Sequence, residues 1–334
     1  MAPGTTAPHR HRHPLGSVER SIVEFSLRAP SVHNTQPWRW RVGDSRLDLY
    51  ADRARQLPLA DPLGHNLLAS CGAALEYAAV AAAAGGWCCA VDLLPDGADA
   101  DHLATARLSL GHSSWRAAAD ADLLRSRATD RRRFIPWPVP VALLRRLADR
   151  SVAGTAWAVA VTDVVDRCNI ELLASRAMAS IRSDPRLAEE ELAWTGGARP
   201  DGVPVASARP SDTDLPRLWP SRYDVTPSAD DGGPLPGAPT DGLVVVLSAH
   251  DDARGSLEAG RLLCRLWADA LDHGLSLVPL SQVVEVDDTR RSLQRDVLRT
   301  AAHPRLLVRL GWQELARSPL PRTPRRDLDD VLLP

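Results

Sequence analysis

The chain repeats itself. Gly72 and Gly86 stand fourteen residues apart around a helical stretch, and the apolar run WCCAVDLLP follows; Gly260 and Gly274 share that spacing around RLLCRLWADALDH, followed by LSLVPLS. Each unit then reaches a strand ending in glycine, ARLSLG at 106–111 and LLVRLG at 306–311. A repeated order of elements marks supersecondary units of one design, each needing a neighbour to bury its apolar face. With 334 residues the chain can bury one large core or two ordinary ones. The repeat therefore predicts an α+β fold of two related halves, 15–118 and 119–334, after a tail of residues 1–14.

Local patterns fill in this outline. Val18, Ile22, Phe25 and Ala29 recur at helical spacing, predicting a helix over 17–29 that Pro30 ends. The alternating run WRWRVGDSRLDLYAD predicts a β-hairpin turning at Gly43–Asp44. The stretch 66–84, NLLASCGAALEYAAVAAAA, is nearly long enough to cross a bilayer, but Glu76 and its many small side chains favour a buried core helix. Strands are expected at 87–94 and 104–110. The second half is longer because of residues 195–241, which are rich in proline, glycine and aspartate and have no apolar period. Such a segment is either a linker or an inserted lid loop; Val203, Val205, Leu218, Trp219 and Tyr223 would anchor the lid.

All 40 basic residues are arginine, since the chain contains no lysine. Schiff-base catalysis by lysine and a P-loop are thereby excluded, and any phosphate must be held by arginines, hydroxyls and backbone N–H groups. A net charge of −2 gives no electrostatic reason to expect nucleic acid or a membrane as partner, which points to a small molecule. The five cysteines, Cys71, Cys88, Cys89, Cys168 and Cys264, form no C-x-x-C pair and are odd in number. They argue against a zinc site or disulfide framework and for buried thiols in a cytoplasmic protein. MAPGTTAPHRHRHP, 1–14, is basic with no apolar stretch after it, so it reads as a disordered tail rather than a signal peptide. AHDD, 249–252, lies between a strand and a helix and reads as a helix cap, so no metal is expected.

Three stretches carry candidate chemistry. RAPSVHNTQPWRW, 28–40, forms the junction between the first helix and first strand. RSRATDRRRF, 125–134, packs five arginines into nine residues, either as a solvated face or converging on an anion. In the second case Arg127, Thr129 and Arg131 present guanidinium, hydroxyl and guanidinium at alternate positions, which suits a phosphate monoester. SPLPRTPRRDLDD, 318–330, follows the last strand and is either a flexible basic tail or part of a site.

These stretches resemble a known family. APSVHNTQPWRW resembles the A-P-S-x-x-N-x-Q-P-W signature of the FMN-dependent nitroreductase superfamily, and RSRATDRRRF resembles its R-x-S-x-R phosphate-binding stretch, with threonine in place of serine. The likeness continues through GRLLCRLWADALDHGLSLVPLS and LLVRLGW, covering the chain from about residue 15. Trp194-Thr195, Asp201 to Pro204 and Thr323 to Arg326 make it specific to the Acg-like NAD(P)H nitroreductases of actinobacteria.

The resemblance implies a nitroreductase fold built as an intramolecular pseudo-dimer, monomeric or further dimerised, with one FMN between the halves. Arg127, Thr129 and Arg131 would hold the FMN phosphate, with Arg325 or Arg326 joining them or lying near the ring. Pro30, Ser31, Val32 and Asn34 would line the isoalloxazine, and Leu280, Ser281 and Gln282 would pass near N5. Gln36 and Trp38 would hold the turn in shape, while His33 is either a turn residue or a flavin or substrate contact. The implied activity is hydride transfer from NADPH or NADH through FMN N5 to a nitroaromatic or quinone acceptor, with no protein nucleophile. The alternative is a non-catalytic protein that sequesters FMN beneath the 195–241 segment.

Overall fold

The computed structural model describes residues 16–131, 134–195, 199–204, 240–313 and 322–334. The first half runs α1 (Ser17–Ser26), β1 (Trp38–Gly43), β2 (Arg46–Ala51), α2 (His65–Ala84), β3 (Trp87–Leu93) and β4 (His102–Leu110). Its antiparallel sheet has the order β1-β2-β4-β3. After α3 (Trp115–Ser126) come α4 (Val141–Arg150), β5 (Val152–Ala153), β6 (Ala156–Val161), α5 (Val164–Ser183) and α6 (Pro185–Thr195). The chain continues through β7 (Gly242–Ser248), α7 (Ala253–Asp272), β8 (Leu275–Leu280), α8 (Gln282–Glu285), α9 (Asp287–Ser292), β9 (His303–Trp312) and α10 (Leu328–Val331). The second sheet is ordered β5-β6-β7-β9-β8. Its last four strands repeat the order of the first sheet, with α7 in the place of α2, so the duplication read from the glycines is a duplication of topology.

Burial follows side-chain period. In β1, Trp38 and Trp40 are fully buried while the alternating Arg39 and Arg41 are exposed, as expected of a sheet with one covered face. Every residue of β7 is buried: Val244 and Val246 face a cluster shared with α4 and α7, and Leu243, Val245 and Leu247 face α5. The α2 helix is long and apolar enough to cross a membrane, yet most of it is packed inside the molecule.

The glycines expected to bracket the helices do so only at their C-terminal ends, where Gly86 and Gly274 take left-handed φ of 81° and 74°. Gly72 and Gly260 instead lie inside α2 and α7, where the two helices cross. A Cβ on Gly72 would stand 2.0 Å from the Leu257 carbonyl oxygen, and one on Gly260 would stand 1.8 Å from that of Ala69. Each glycine thus receives the backbone of the opposite helix, which no larger residue permits.

Other departures have local causes. The first helix stops at Ser26, three residues short of the expected 29, because the chain tightens into turns before Pro30. The length added to the second half is residues 162–241, between β6 and β7, where the first half has only Asp44–Ser45. Its first part folds as α5 and α6, whose apolar periodicity concealed it. Of the expected lid, residues 196–198 and 205–239, with Val205, Leu218, Trp219 and Tyr223, lie outside the described residues, as does the 1–14 tail. Cys71 and Cys264 are buried, but Cys88 and Cys168 are exposed, against the expectation of buried thiols. Asp252 caps α7 by accepting from the Gly255 N–H at 2.8 Å. The C-terminal segment returns to the first sheet, where the Leu333 N–H donates to the Trp40 carbonyl at 2.7 Å.

Replacing an exposed helical glycine by alanine ordinarily gains up to about 1 kcal/mol. At the crossing the sign reverses: Gly72→Ala and Gly260→Ala should each cost about 1–3 kcal/mol through overpacking against backbone. Gly97→Ala, with nothing within 4 Å of its Cβ, serves as control and should stay within about 0.5 kcal/mol. Denaturant midpoints of the three variants test this.

Candidate functional site

The junction at 31–36 forms without glycine, although His33, Asn34 and Gln36 have φ of 45°, 58° and 49°. Such backbone costs roughly 1 kcal/mol or more per residue and persists only where surrounding bonds fix it. Those bonds are present: the Gln36 N–H donates to Ser31 Oγ at 3.0 Å, and the Val32 N–H donates to Ser70 Oγ of α2 at 3.2 Å. His33, Asn34 and Gln36 are buried; Pro30, Ser31 and Val32 are half-buried.

Two arginines from distant segments meet beside this turn. Arg127, at the end of α3, donates from Nε to Tyr77 Oη at 2.9 Å, from Nη1 to Thr129 Oγ1 at 3.3 Å and from Nη2 to the Arg28 carbonyl at 3.3 Å. Its guanidinium lies 4.6 Å above the Trp267 ring. Arg325 donates from Nη2 to the same Arg28 carbonyl at 3.4 Å, and from Nη1 to Asn34 Oδ1 at 3.0 Å and to the Thr323 hydroxyl. Among the described residues neither arginine meets a carboxylate, and Arg325 Nε is buried without a partner. Burial, together with the charges of Arg127, Arg28 and Arg322, brings the Arg325 pKa down to about 10. Crowded, desolvated cations with open donors form a cradle for an anion.

Of the residues named from sequence, Ser31, Val32, Asn34, Arg127, Thr129 and Arg325 come together here. Arg131 is half-buried, two residues beyond Thr129. Arg326 turns the other way, donating to the Gln36 and Trp38 carbonyls at 3.1 and 3.3 Å and to Asp52 at 3.1 Å, so it clamps the C-terminal segment to the turn. Leu280, Ser281 and Gln282 lead into α8, which joins the turn through α2. Glu285 accepts from Asn66 Nδ2 at 3.0 Å, and the Asn66 carbonyl accepts from Ser70 Oγ at 2.7 Å.

The stem leading into the 205–239 stretch lies on the turn. Asn34 Nδ2 donates to the carbonyls of Asp201, Gly202 and Pro324 at 2.9, 3.2 and 2.9 Å, and Gln36 Nε2 reaches the Asp201 carbonyl at 3.3 Å. The Asp201 carboxylate binds Arg55 and Arg199, whose guanidinium groups lie 5.1 and 4.0 Å from the Trp194 ring. Burial alone would raise the Asp201 carboxyl pKa, but bonding to Arg55 and the charges of Arg55 and Arg199 hold it below the ordinary value.

Sequence reading missed Tyr77 and Trp267, yet a signal existed. Each is the only aromatic residue in its central helix, and both meet Arg127. Arg55 and the Arg28 carbonyl had no such signal, because only the tertiary fold brings them to the turn.

Fold and site together define an α+β protein of two topologically equivalent halves with an arginine-lined anion cradle beside a strained turn. No family model matches the chain. It is 32% identical over 331 residues to the Mycobacterium tuberculosis protein named "Putative NAD(P)H nitroreductase Rv3131", covering 98% of this chain and 94% of that one. It is 34% identical over 327 residues to "Putative NAD(P)H nitroreductase acg" of the same species, covering 94% and 95%. Similar solved structures include a Bacteroides fragilis nitroreductase with bound FMN, with a TM-score of 0.40 and 14% identity over 62% of this chain and 94% of that one. Another is the Mycobacterium smegmatis nitroreductase NfnB in complex with NADPH, with a TM-score of 0.39 and 17% identity over 64% and 97%. The chain belongs to the Acg-like branch of the nitroreductase superfamily.

Asp61 fixes the end of α2 from which Ser70 and Asn66 support the turn. Its carboxylate accepts from the Asn66 and Leu67 N–H groups at 3.1 and 2.8 Å, and burial pushes its pKa up to about 6 from the unfolded 3.8. The folded chain therefore holds this proton more tightly than the unfolded chain. Its stabilising contribution is complete below 3.8 and is lost as the pH rises to about 6. The loss amounts to roughly 3 kcal/mol at about 1.4 kcal/mol per unit. Unfolding free energies measured from pH 4 to pH 7 should fall more steeply for the wild type than for Asp61→Asn; parallel curves would refute the assignment.

Proposed function

We propose that the chain is an FMN-binding oxidoreductase with one flavin site, where the 31–36 turn meets Arg127 and Arg325. The observation that carries this reading is the convergence of two guanidinium groups on the Arg28 carbonyl. One of them has a buried unpartnered Nε, and no carboxylate meets either among the described residues. With the Thr129 and Thr323 hydroxyls beside them, these donors fit a phosphate monoester. The mycobacterial relatives' names support the same reading. Five free thiols are in keeping with a cytoplasmic location.

When bound, FMN supplies hydride chemistry between NADPH or NADH and an acceptor of nitroaromatic or quinone type. The chain's own residues bind and orient. Arg127, Thr129 and Arg325 hold the phosphate, with Arg127 kept in place by Tyr77 and Trp267. The stiff turn offers Pro30, Ser31, Val32 and Asn34 as one edge of the ring site, with Leu280, Ser281 and Gln282 approaching from the other half.

The equivalent corner of the second half is closed. Glu258, two residues before Gly260 as Ser70 is two before Gly72, accepts from the Thr155 N–H and hydroxyl at 2.8 and 2.6 Å. A carboxylate there repels an anion, so one FMN per chain is expected. A second reading, FMN sequestration without turnover, draws on the bonds from Asn34 to the Asp201–Gly202 stem, which cover the turn.

Flavin fluorescence titration should give one FMN per chain, and Arg127→Ala or Arg325→Ala should weaken binding at least about tenfold, the worth of a charge-assisted contact. A stoichiometry of two, or no FMN bound, refutes the assignment. Anaerobic mixing with NADPH or NADH separates the two readings: rapid bleaching supports the oxidoreductase, and reduction by dithionite alone supports sequestration. If the stem is the obstacle, Asp201→Ala, which removes its pairs with Arg55 and Arg199, should speed bleaching.

A further inference from the structure

A β-sheet ends in two strands whose outer N–H and C=O groups have no ladder, and a second chain can pair with such an edge unless it is blocked. The two sheets have four edges, and three are blocked. Beside β1 lie Leu332 and Leu333 of the C-terminal segment, with the Leu333 N–H on the Trp40 carbonyl at 2.7 Å. The β5 edge is two residues long, and β8 carries Pro279. β3 has none of these devices: WCCAVDL runs seven residues without proline or bulge and carries one charge, Asp92, near its end.

The ladder identifies the open groups of β3. The Gly111 N–H donates to the Gly86 carbonyl and the Leu94 N–H to the Leu103 carbonyl, both at 2.9 Å. In the unbroken register between them, Cys88, Ala90 and Asp92 therefore bond β4, and Trp87, Cys89, Val91 and Leu93 turn their backbone groups outward. The Leu93 carbonyl is taken by Arg254 of α7 at 2.9 Å, and at the other end Gly86 turns the chain with a φ of 81°. Among the described residues, the stretch left open runs from Trp87 to Val91 and is centred on Cys89.

That stretch is its own complement. Turned about a two-fold axis at Cys89, it lays Trp87 against the partner's Val91 and Cys89 against the partner's Cys89, each facing pair exchanging two backbone bonds. An aromatic and a β-branched side chain then meet on each side of the axis, and no charge stands opposite a like charge, since Asp92 falls outside the paired stretch. The side chains of Trp87, Cys89 and Val91 are half-buried at the rim of the first half's core, so pairing carries that core from one copy into the next. A stretch without charge offers nothing to select a basic or acidic peptide instead.

We propose that β3 is the contact edge of a symmetric dimer, in which two copies of this chain pair antiparallel over Trp87 to Val91 and join their four-stranded sheets into one.

Sedimentation equilibrium of the full chain under reducing conditions should show a reversible monomer–dimer equilibrium. Val91→Pro loses an N–H that points outward, so the monomer keeps its own ladder. It should weaken association at least about tenfold, because the two-fold removes two interchain bonds at once. A covalent test needs no edge-breaking change. Cys88 and the partner's Ala90 face each other as a non-hydrogen-bonded pair, with Cα atoms about 4.5 Å apart, within the span of a disulfide. In a Cys89→Ser background, Ala90→Cys should therefore oxidise with diamide to a covalent dimer, and adding Cys88→Ser should abolish it. A chain that is monomeric at every concentration, a Val91→Pro variant that dimerises as tightly as the parent, or a covalent dimer that survives Cys88→Ser overturns the proposal. Hydrogen exchange of the β3 amides detects any other occupant: protection in a monomer would mean that another part of the chain covers the edge, which also overturns it.

Discussion

The contact of Gly72 with the Leu257 backbone, and of Gly260 with that of Ala69, is the constraint on which the rest of the molecule depends. Two helices that touch backbone to backbone merge their cores: Leu257, Cys264 and Ala268 of α7 belong to the hydrophobic cluster of the first half. The rotation of one helix about the other is fixed just beyond the crossing. There the buried Glu76 carboxylate takes Arg261 and Arg265 from α7 at 2.8 and 2.6 Å. The same register brings both Tyr77 and Trp267 to Arg127. The placement of that guanidinium is therefore a consequence of two glycines at a distance, and a shift of the crossing would misplace the cradle before it unfolded anything.

The duplicated design was legible in the sequence because glycine is tolerated at a helix crossing and at a left-handed helix end for steric reasons that leave few substitutes. The spacing Gly72 to Gly86 and Gly260 to Gly274 records both requirements at once. The insertion was only half legible. Its proline-rich part has no period to read, whereas α5 and α6 carry the apolar period of core helices and so looked like part of the common design. The grouping of candidate residues was legible where a local backbone motif makes it, as in the turn and in Arg127-x-Thr129. It was not legible where tertiary contact decides: the Arg326 guanidinium, read from sequence as joining the others, bonds Asp52 and the turn carbonyls.

Arginine is this chain's only strong cation, and the structure uses it in a recurrent way. Asp52 is held by Arg39 and Arg326, Glu76 by Arg261 and Arg265, and Asp201 by Arg55 and Arg199. Asp241 is held by Arg167 and Arg309, and Asp251 by Arg290 and Arg305. In each case two guanidinium groups share one carboxylate, which limits the repulsion between them and, at the buried Asp52, Glu76 and Asp241, satisfies the acid. Arg127 and Arg325 are paired in the same manner, but among the described residues the group between them is the neutral carbonyl of Arg28. Among the described residues no carboxylate offsets their repulsion, and burial first, then the charge of Arg127, lowers the Arg325 pKa. By the rule the molecule follows elsewhere, a pair with no carboxylate among the described residues calls for an anion, the place that the phosphate of the proposed FMN would take.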